Sequence, residues 1–401
     1  MSAAEGAPAL VSRQIDELAQ AACQTAGVTV LAPCSDQEFL RRVWLDLAGR
    51  TPPLNAFTQR QGNGTLDRAA VIGELLKSPE FGKHWGRLWT EFLTDRRPFD
   101  TQEYDARRLQ HYLTESFAKN LPYNQLIAEL MGGVGTSDSS GPVNFLLRYN
   151  VEPAALAGAV SQKLLGVTLQ CAECHDHPHA AWKQKDFWGL AAHFARLRKM
   201  TPTNPQEGEA FSVVIERPRG ELSIPDKQST PTDEGRYARK TVFPQLPGAP
   251  RDAGSKPRRD LLVHWMTAPE NPYLSRNFVN VVWERLIGTR LVINLDEEPS
   301  ATTSTAASIL DLLAADFSAQ KFDTQRLIQT ILLSDTYQRS SIEASPPAST
   351  TEDLRRAEEQ MLHWARARIR PLSADQLHLS IAQAFGYHFD ESDFRLAEAT
   401  D

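Results

Sequence analysis

The fold class follows first from the stretch Ser35 to Gly49, which runs SDQEFLRRVWLDLAG. Ser35, followed three residues later by Glu38, is the pattern of a capping box, in which each side chain bonds the other residue's backbone at the start of a helix. Apolar residues then recur through Leu47, and Gly49 ends the pattern ahead of two prolines at 52 and 53. The stretch predicts an amphipathic helix.

Helical patterns continue on both sides of this stretch. Further helices are predicted over 11–26, 67–77, 79–94, 103–119, 122–131, 153–166 and 180–198, and again over 258–268, 273–287, 303–319, 323–334, 351–368 and 373–385. Between 201 and 257 the chain is rich in proline, glycine and charge, and segments 211–216 and 221–224 are typical of a short β-hairpin. We therefore predict a mainly α fold of two helical lobes joined by an irregular segment with a short hairpin. The predicted parts are an N-terminal helix and loop (1–34), a helical domain (35–200), a linker with minor β structure (201–256) and a C-terminal helical domain (257–401).

The composition excludes several classes of protein. With 401 residues, 41% hydrophobic and 23% charged, the chain is typical of globular domains. A net charge of −7 argues against nucleic acid as the partner, and no apolar stretch is long enough to cross a bilayer. The first residues, Met1 to Pro8, lack the basic and apolar regions of a secretory signal. The protein is therefore expected either to be cytoplasmic or to have lost a signal that preceded this sequence.

The chemistry of the sequence is concentrated at Cys171, Cys174 and His175, a C-x-x-C-H motif. This motif is typical of c-type haem attachment. Two thiols three positions apart can bond the two vinyl groups of a porphyrin, and the adjacent histidine can ligate the iron. The motif predicts that Cys171 and Cys174 anchor haem c and that His175 is the proximal ligand.

Two other uses of these cysteines stay open. With His177 and His179 they would form a Cys₂His₂ zinc site, although nine residues is a short span for four ligands. They could also form a redox-active or structural pair, although the βαβ context of a redox C-x-x-C is missing. The remaining cysteines, Cys23 and Cys34, are compatible either with a disulfide or with two separate thiols.

The sixth ligand of a haem iron has three candidates downstream, His179, His193 and Met200. His193 lies in an apolar helical segment, where a hydrogen-bonded core histidine is favoured. Met200 and His179, with His175 and His177, complete the set of predicted metal ligands. If no side chain takes the sixth position, His177 and Asp176 are the nearby acid–base groups for oxygen or peroxide chemistry. Asp176 could equally orient an imidazole.

Three further groups have both a functional and a structural interpretation. The acidic run 296–298 (Asp, Glu, Glu) could bind a cation such as Ca²⁺ but is more typical of a solvated loop. Arg41, Arg42, Asp46 and Arg50 could bind haem propionates, but structural ion pairs are favoured. Trp85 and Trp89, one helical turn apart, are expected in the core.

Several strings of the chain resemble the planctomycete cytochrome-c-associated family, in which domain of unknown function 1549 is followed by domain of unknown function 1553. The strings of the first domain are FLRRVWLDLAGRTPP (39–53), LKSPEFGKHW (76–85), LGVTLQCAECHDHP (165–178) and QKDFWGLAAHF (184–194). Those of the second are NPYLSRNFVN (271–280), LDLLAADF (310–317) and ILLSDTY (331–337). The resemblance implies an exported protein, which favours a periplasmic or secreted location, but it implies no reaction. The chain departs from the family's usual Asp pair at 296–298.

Together these observations predict a c-type haem protein for electron transfer or redox catalysis in the periplasm, with a redox protein as partner and catalytic residues unknown. The alternatives are a non-haem metal-dependent hydrolase, using zinc or iron, that acts on glycans or sulfated polysaccharides, and a cytochrome-associated binding module without chemistry of its own.

Overall fold

The computed structural model describes residues 6–61, 66–95, 104–177, 182–201, 211–226, 229–231, 235, 237–246, 257–296, 304–343 and 350–386. These residues contain seventeen α-helices and five short strands, which confirms a mainly α fold. The helices of the first half are α1 (Gly6–Ala26), α2 (Asp36–Ala48), α3 (Leu54–Gln61), α4 (Arg68–Leu76), α5 (Pro79–Thr94), α6 (Ala106–Ala118), α7 (Tyr123–Gly132), α8 (Val143–Arg148), α9 (Pro153–Ala159) and α10 (Gln184–Ala191). Those of the second half are α11 (Arg258–Thr267), α12 (Pro272–Ile287), α13 (Ser304–Ala319), α14 (Thr324–Leu333), α15 (Asp335–Gln338), α16 (Thr351–Leu362) and α17 (Ala374–Ala384).

The chain forms two compact units that do not follow its order. The first unit contains residues 1–84, 283–289 and 325–401, and the second contains residues 85–282 and 290–324. The borders of these compact units therefore differ from the boundaries at 35, 201 and 257 that the sequence suggests. Within the described part of the chain, no helix is both long and apolar enough to span a membrane.

The first unit joins the two ends of the chain through α1. Ile15, Ala19 and Cys23 are completely buried along one face of this helix. The hydroxyl of Ser12 donates to the carbonyl of Thr330 at 2.7 Å, and the carboxylate of Asp16 accepts hydrogen bonds from the first backbone N–H groups of α15. Because those N–H groups have no partner inside the helix, Asp16 completes the start of α15 from a distant part of the sequence.

The predicted capping box of α2 forms only in part. The hydroxyl of Ser35 accepts the backbone N–H of Glu38 at 3.2 Å, so Ser35 is the N-cap. The Glu38 carboxylate does not return the bond; it pairs with Arg42 and accepts the backbone N–H of Ser341 at 2.8 Å. Tertiary contacts therefore replace the local half of the motif.

Aromatic side chains fill the core of the second unit. Trp89 contacts Phe278 edge-on with ring centroids 5.0 Å apart, and Phe278 stacks on Phe317 at the same separation. Trp85 and Trp89 are both at most 1% exposed. The prediction that these two tryptophans belong to the core is confirmed.

The predicted β-hairpin is wrong, although both of its strands exist. The strands are β1 (Gly135–Thr136), β2 (Leu197–Met200), β3 (Val213–Glu216), β4 (Leu222–Pro225) and β5 (Arg239–Val242). β3 lies between β1 and β2, and β4 pairs only with β5. Arg259 on α11 holds the end of β3 by a 2.7 Å ion pair with Glu216, and Val214 is completely buried in the middle of the strand. The burial of Val214 and the ion pair of Glu216 therefore decide where β3 pairs, although only a short turn separates it from β4.

Two predicted helices end earlier than their patterns suggest, whereas the predicted helix 153–166 continues after α9 as a π-helix at Val160–Leu165. After α10 the chain makes a 3₁₀ turn at Ala192–Phe194 and enters β2, so the last part of 180–198 is a strand. Helix α16 ends at Leu362 because Trp364 adopts a left-handed backbone with φ of 53° and the N–H of Ala365 turns back to Gln360. The short helices α3, α8 and α15 were not predicted, since each spans eight residues or fewer.

Candidate functional site

The two cysteines of the motif lie on one exposed turn of the second unit. Residues Leu169–Glu173 form a 3₁₀ helix, and Cys174 follows as its C-cap. Side chains three residues apart are eclipsed in a 3₁₀ helix, so Cys171 and Cys174 project from the same side of the turn. Both are free thiols and both are exposed, whereas Ala172 between them is completely buried. Neither thiol therefore packs in the core of the unit.

His175 follows the turn with one ring nitrogen already engaged. Its Nδ1 lies 2.7 Å from the backbone carbonyl oxygen of Asp176, and the side chain is exposed. A proton on Nδ1 donates to that carbonyl, which leaves Nε2 with its lone pair. This is how proteins fix the tautomer of a metal-ligating histidine.

Helix α10 holds the backbone of the motif through two side chains one helical turn apart. The amide of Gln184 donates to the carbonyls of Glu173 and Cys174, each at 3.1 Å, and the indole N–H of Trp188 also donates to Glu173 at 3.1 Å. Gln184 and Trp188 were not singled out from the sequence as supports of the motif. The two residues are four positions apart in QKDFWGLAAHF, the first predicted helical segment after the motif. This spacing is the signal that could have identified them.

The carboxylate of Asp176 has a structural partner. Its Oδ1 accepts the backbone N–H of Gln184, the first residue of α10, at 2.9 Å. A carboxylate at this position satisfies an N–H that the helix cannot satisfy and opposes the positive end of the helix dipole. Asp176 therefore contributes to the site by two routes, its carbonyl to His175 and its carboxylate to α10.

The remaining predicted metal ligands are His177, His179 and Met200. His177 is half-buried, and its backbone N–H donates to the carbonyl of Trp182 at 2.8 Å. His179 lies in 178–181, outside the described residues. Met200 is 54% exposed and ends β2 opposite Val213. Among the residues that the structure describes, no group of three or more His, Cys, Asp or Glu side chains is arranged to hold a metal ion.

His193 is a core residue, as its apolar surroundings in the sequence favoured. It is 2% exposed, and its Nδ1 donates to the carbonyl of Gly189 at 3.0 Å, with Leu190 at 3.2 Å. Burial, opposed by these hydrogen bonds and assisted by the nearby charge of Arg258, lowers the pKa of His193 to about 4. The imidazole is therefore neutral at physiological pH and already engaged in the core.

Arg42, Asp46 and Arg50 each have an ion-pair partner in the first unit. Arg42 pairs with Glu38, Arg50 with Glu80 at 2.8 Å, and Asp46 with Arg370 at 2.6 Å. Arg41 is exposed. These contacts confirm the structural ion pairs that were favoured over haem propionate binding. The pair with Arg370 also supplies the opposite charge that offsets the cost of burying the Asp46 carboxylate.

Cys23 and Cys34 are separate buried thiols, not a disulfide. Burial raises the pKa of both, although Arg339 opposes it at Cys23, and Arg42 and Arg68 oppose it at Cys34. Since the reactive form is the thiolate, burial keeps both cysteines unreactive.

In the acidic run 296–298, only Asp296 lies within the described residues. Its Oδ2 is buried without a hydrogen-bond partner among them. Burial, with the charge of this carboxylate, raises the pKa of Tyr273.

The residues of the motif fit the attachment of haem c. The fit rests on the two exposed thiols on one side of the 3₁₀ turn and on the neighbouring imidazole, whose Nδ1 is engaged by a carbonyl. Cys171 and Cys174 would hold the porphyrin, and His175 would present Nε2 to the iron.

Comparison with protein families gives two matches in sequence order. Residues 14–199 match PSCyt2, described as a protein of unknown function (DUF1549), and residues 258–390 match PSD1, described as a protein of unknown function (DUF1553). No curated protein and no solved structure shows significant similarity to the chain. The first match contains the motif and the helix α10 that supports it. The chain therefore belongs to the two-domain family in which DUF1549 is followed by DUF1553.

Proposed function

We propose that this chain is a c-type haem protein of the periplasm or cell surface, and that its role is electron transfer or redox catalysis. Cys171 and Cys174 would form the thioether bonds to the haem, and His175 would be the proximal ligand of its iron. The observation that supports the proposal best is the placement of both thiols on the same exposed side of one 3₁₀ turn, next to this histidine. A bound haem supplies one-electron chemistry.

The chain's own residues orient the attachment turn. Gln184 and Trp188 fix the carbonyls of Glu173 and Cys174, so the backbone between the thiols and the histidine is held against α10. The carbonyl of Asp176 keeps the proton of His175 on Nδ1, so Nε2 is the nitrogen that would ligate the iron. Pre-positioning of this kind lowers the entropy lost when a ligand is bound.

The alternative metal-dependent hydrolase has less support from the geometry. It would need His175, Asp176, His177 and His179 around one ion, yet Oδ1 of Asp176 already accepts the backbone N–H of Gln184. A cytochrome-associated binding module would leave the two exposed thiols without a role. Haem attachment uses all three residues of the motif.

The test is a pyridine haemochrome spectrum together with the intact mass of the full chain, exported alongside a haem-attachment system. Export is essential because c-type haem is attached by a maturation system in the exporting compartment, so a cytoplasmic preparation would be uninformative. We expect a haem-sized mass increment that survives denaturation and disappears in C171A/C174A. The matched control is C23A/C34A, which removes the same number of thiols from buried sites and should keep the increment.

A second variant tests the proximal ligand. H175A should retain covalent haem through its two thiols but lose one axial nitrogen, which changes the ligand field and hence the Soret and visible bands. An exported wild-type chain without covalent haem would refute the proposal. Covalent haem with an unchanged spectrum in H175A would refute the role of His175 alone.

A further inference from the structure

A recess in the first unit is lined by four arginines, none of which belongs to the cysteine motif. Its empty volume is about 350 Å³, which includes solvent-filled space at its opening. Arg366, Arg368 and Arg370 come from one segment after α16 that is neither helix nor strand, and Arg42 comes from α2. Ile369, in the same segment, is 77% exposed and does not line the recess.

Two of these arginines already have carboxylate partners. Arg42 pairs with Glu38 and also donates to the carbonyl of Tyr337 at 2.6 Å. Arg370 pairs with the buried carboxylate of Asp46 at 2.6 Å and donates to the carbonyl of Arg285. Both side chains are therefore fixed in position.

The other two arginines have no carboxylate partner among the described residues. Arg366 donates only its Nε, to the carbonyl of Ser341 at 2.9 Å. The Nε of Arg368 is buried without any hydrogen-bond partner. The stem of Arg368 passes close to Gly288, where an added Cβ would lie 3.3 Å from its Cδ, so the absence of a side chain there makes room for this arginine.

The recess therefore carries an excess of positive charge. Four guanidinium groups face two carboxylates, those of Glu38 and Asp46, which leaves two positive charges without compensation. Burial raises the pKa of Tyr337 well above its ordinary value, so its hydroxyl stays neutral and contributes no negative charge. Like charges in one partly enclosed space repel each other, and an anion bound between them offsets this repulsion.

We propose that this recess is a binding site for a doubly charged tetrahedral oxyanion, phosphate or sulfate, either free or as a monoester. Arg366 and Arg368 bind the oxygens through their uncommitted Nη groups, and Arg42 and Arg370 supply the fixed positive wall. A dianion balances the two uncompensated charges, and guanidinium forks match the spacing of its oxygens.

The test is isothermal titration of the full chain with inorganic phosphate and with sulfate, at an ionic strength held constant with sodium chloride. We expect saturable binding with a Kd below about 1 mM. Each charge-assisted bond to a guanidinium contributes about a tenfold change in affinity, so R366Q/R368Q should bind about a hundredfold more weakly. The matched control is R355Q on α16, an exposed arginine of the same unit that pairs with Glu352, and its affinity should not change.

Two further measurements complete the test. R366K/R368K keeps the charge and loses the forked geometry, so it should bind about tenfold more weakly even if the glutamine variant fails to fold. Phenyl phosphate that binds more tightly than inorganic phosphate would assign the site to a monoester, and equal affinities would assign it to the free ion. The inference is overturned if the wild type shows no saturable binding at about 10 mM, or if the folded arginine variants bind as tightly as the wild type.

Discussion

Lowering the pH should destabilise the second unit through one buried histidine. His193 is 2% exposed, and burial lowers its pKa to about 4. In the unfolded chain a histidine titrates near 6.5, so below that pH the unfolded state binds a proton that the folded state does not. The stability that the neutral imidazole confers is therefore complete above about pH 6.5 and is lost as the pH falls towards 4. The difference between the folded and unfolded pKa values of His193 lowers the free energy of unfolding by about 2 to 3 kcal/mol between pH 7.5 and pH 4.5.

The assay is urea unfolding of the full chain at several pH values, followed by tryptophan fluorescence, for the wild type and H193N. Asparagine places an amide N–H near the position of Nδ1, so it can keep the bond to Gly189 but cannot titrate. We expect the stability advantage of the wild type over H193N to shrink by this amount between pH 7.5 and 4.5. H111N, which removes an exposed imidazole of α6, is the matched control. Parallel stability curves for the wild type and H193N would refute the reasoning.

Three substitutions should each lower the free energy of unfolding, measured by urea denaturation. G166A places a side chain on a left-handed backbone with φ of 70°, and its Cβ would lie 2.6 Å from Oδ1 of Asn277. This substitution should lower the free energy of unfolding by about 2 to 4 kcal/mol. A loss below about 1 kcal/mol would mean that Asn277 moves aside easily. R259M removes a 4% exposed arginine from Glu216 and should cost about 3 kcal/mol, so an unchanged stability would contradict the importance of this ion pair to β3. S35A removes the cap of α2 and should cost about 1 kcal/mol, whereas S35D should restore most of it and would disprove the capping role if it did not.

Local sequence signals predicted most helices because their caps and periodicity lie within the helix itself. Helix α5 was predicted over 79–94 and forms at Pro79–Thr94, and Ser35 caps α2 as expected. The strands were harder to pair, because β3 takes neighbours from residues 135–136 and 197–200 rather than from the nearby β4. Burial and ion pairs such as Arg259 with Glu216 decide which strands pair when the partners are far apart in the sequence. A local sequence pattern does not show these contacts.

The sequence names the residues of the candidate site but not the contacts that support them. The spacing of Cys171, Cys174 and His175 identifies the motif, but the sequence gives no sign that a 3₁₀ turn exposes both thiols. The hydrogen bonds from Gln184 and Trp188 depend on how α10 packs against that turn. The arginine recess was missed for the same reason. Arg42 and Arg368 are more than three hundred residues apart in the chain and meet only in the folded unit.

The union of α1 with the second half of the chain has a consequence for biosynthesis. Ser12 and its partner Thr330 are 318 residues apart, so the ribosome must add that many residues before α1 can be covered. At typical elongation rates this delay lasts on the order of tens of seconds. Throughout it the nascent α1 displays Ile15, Ala19 and Cys23 to water. Chaperones that recognise apolar helices are expected to hold this segment until residues 324–338 emerge, whereas residues 85–282 can already begin to fold.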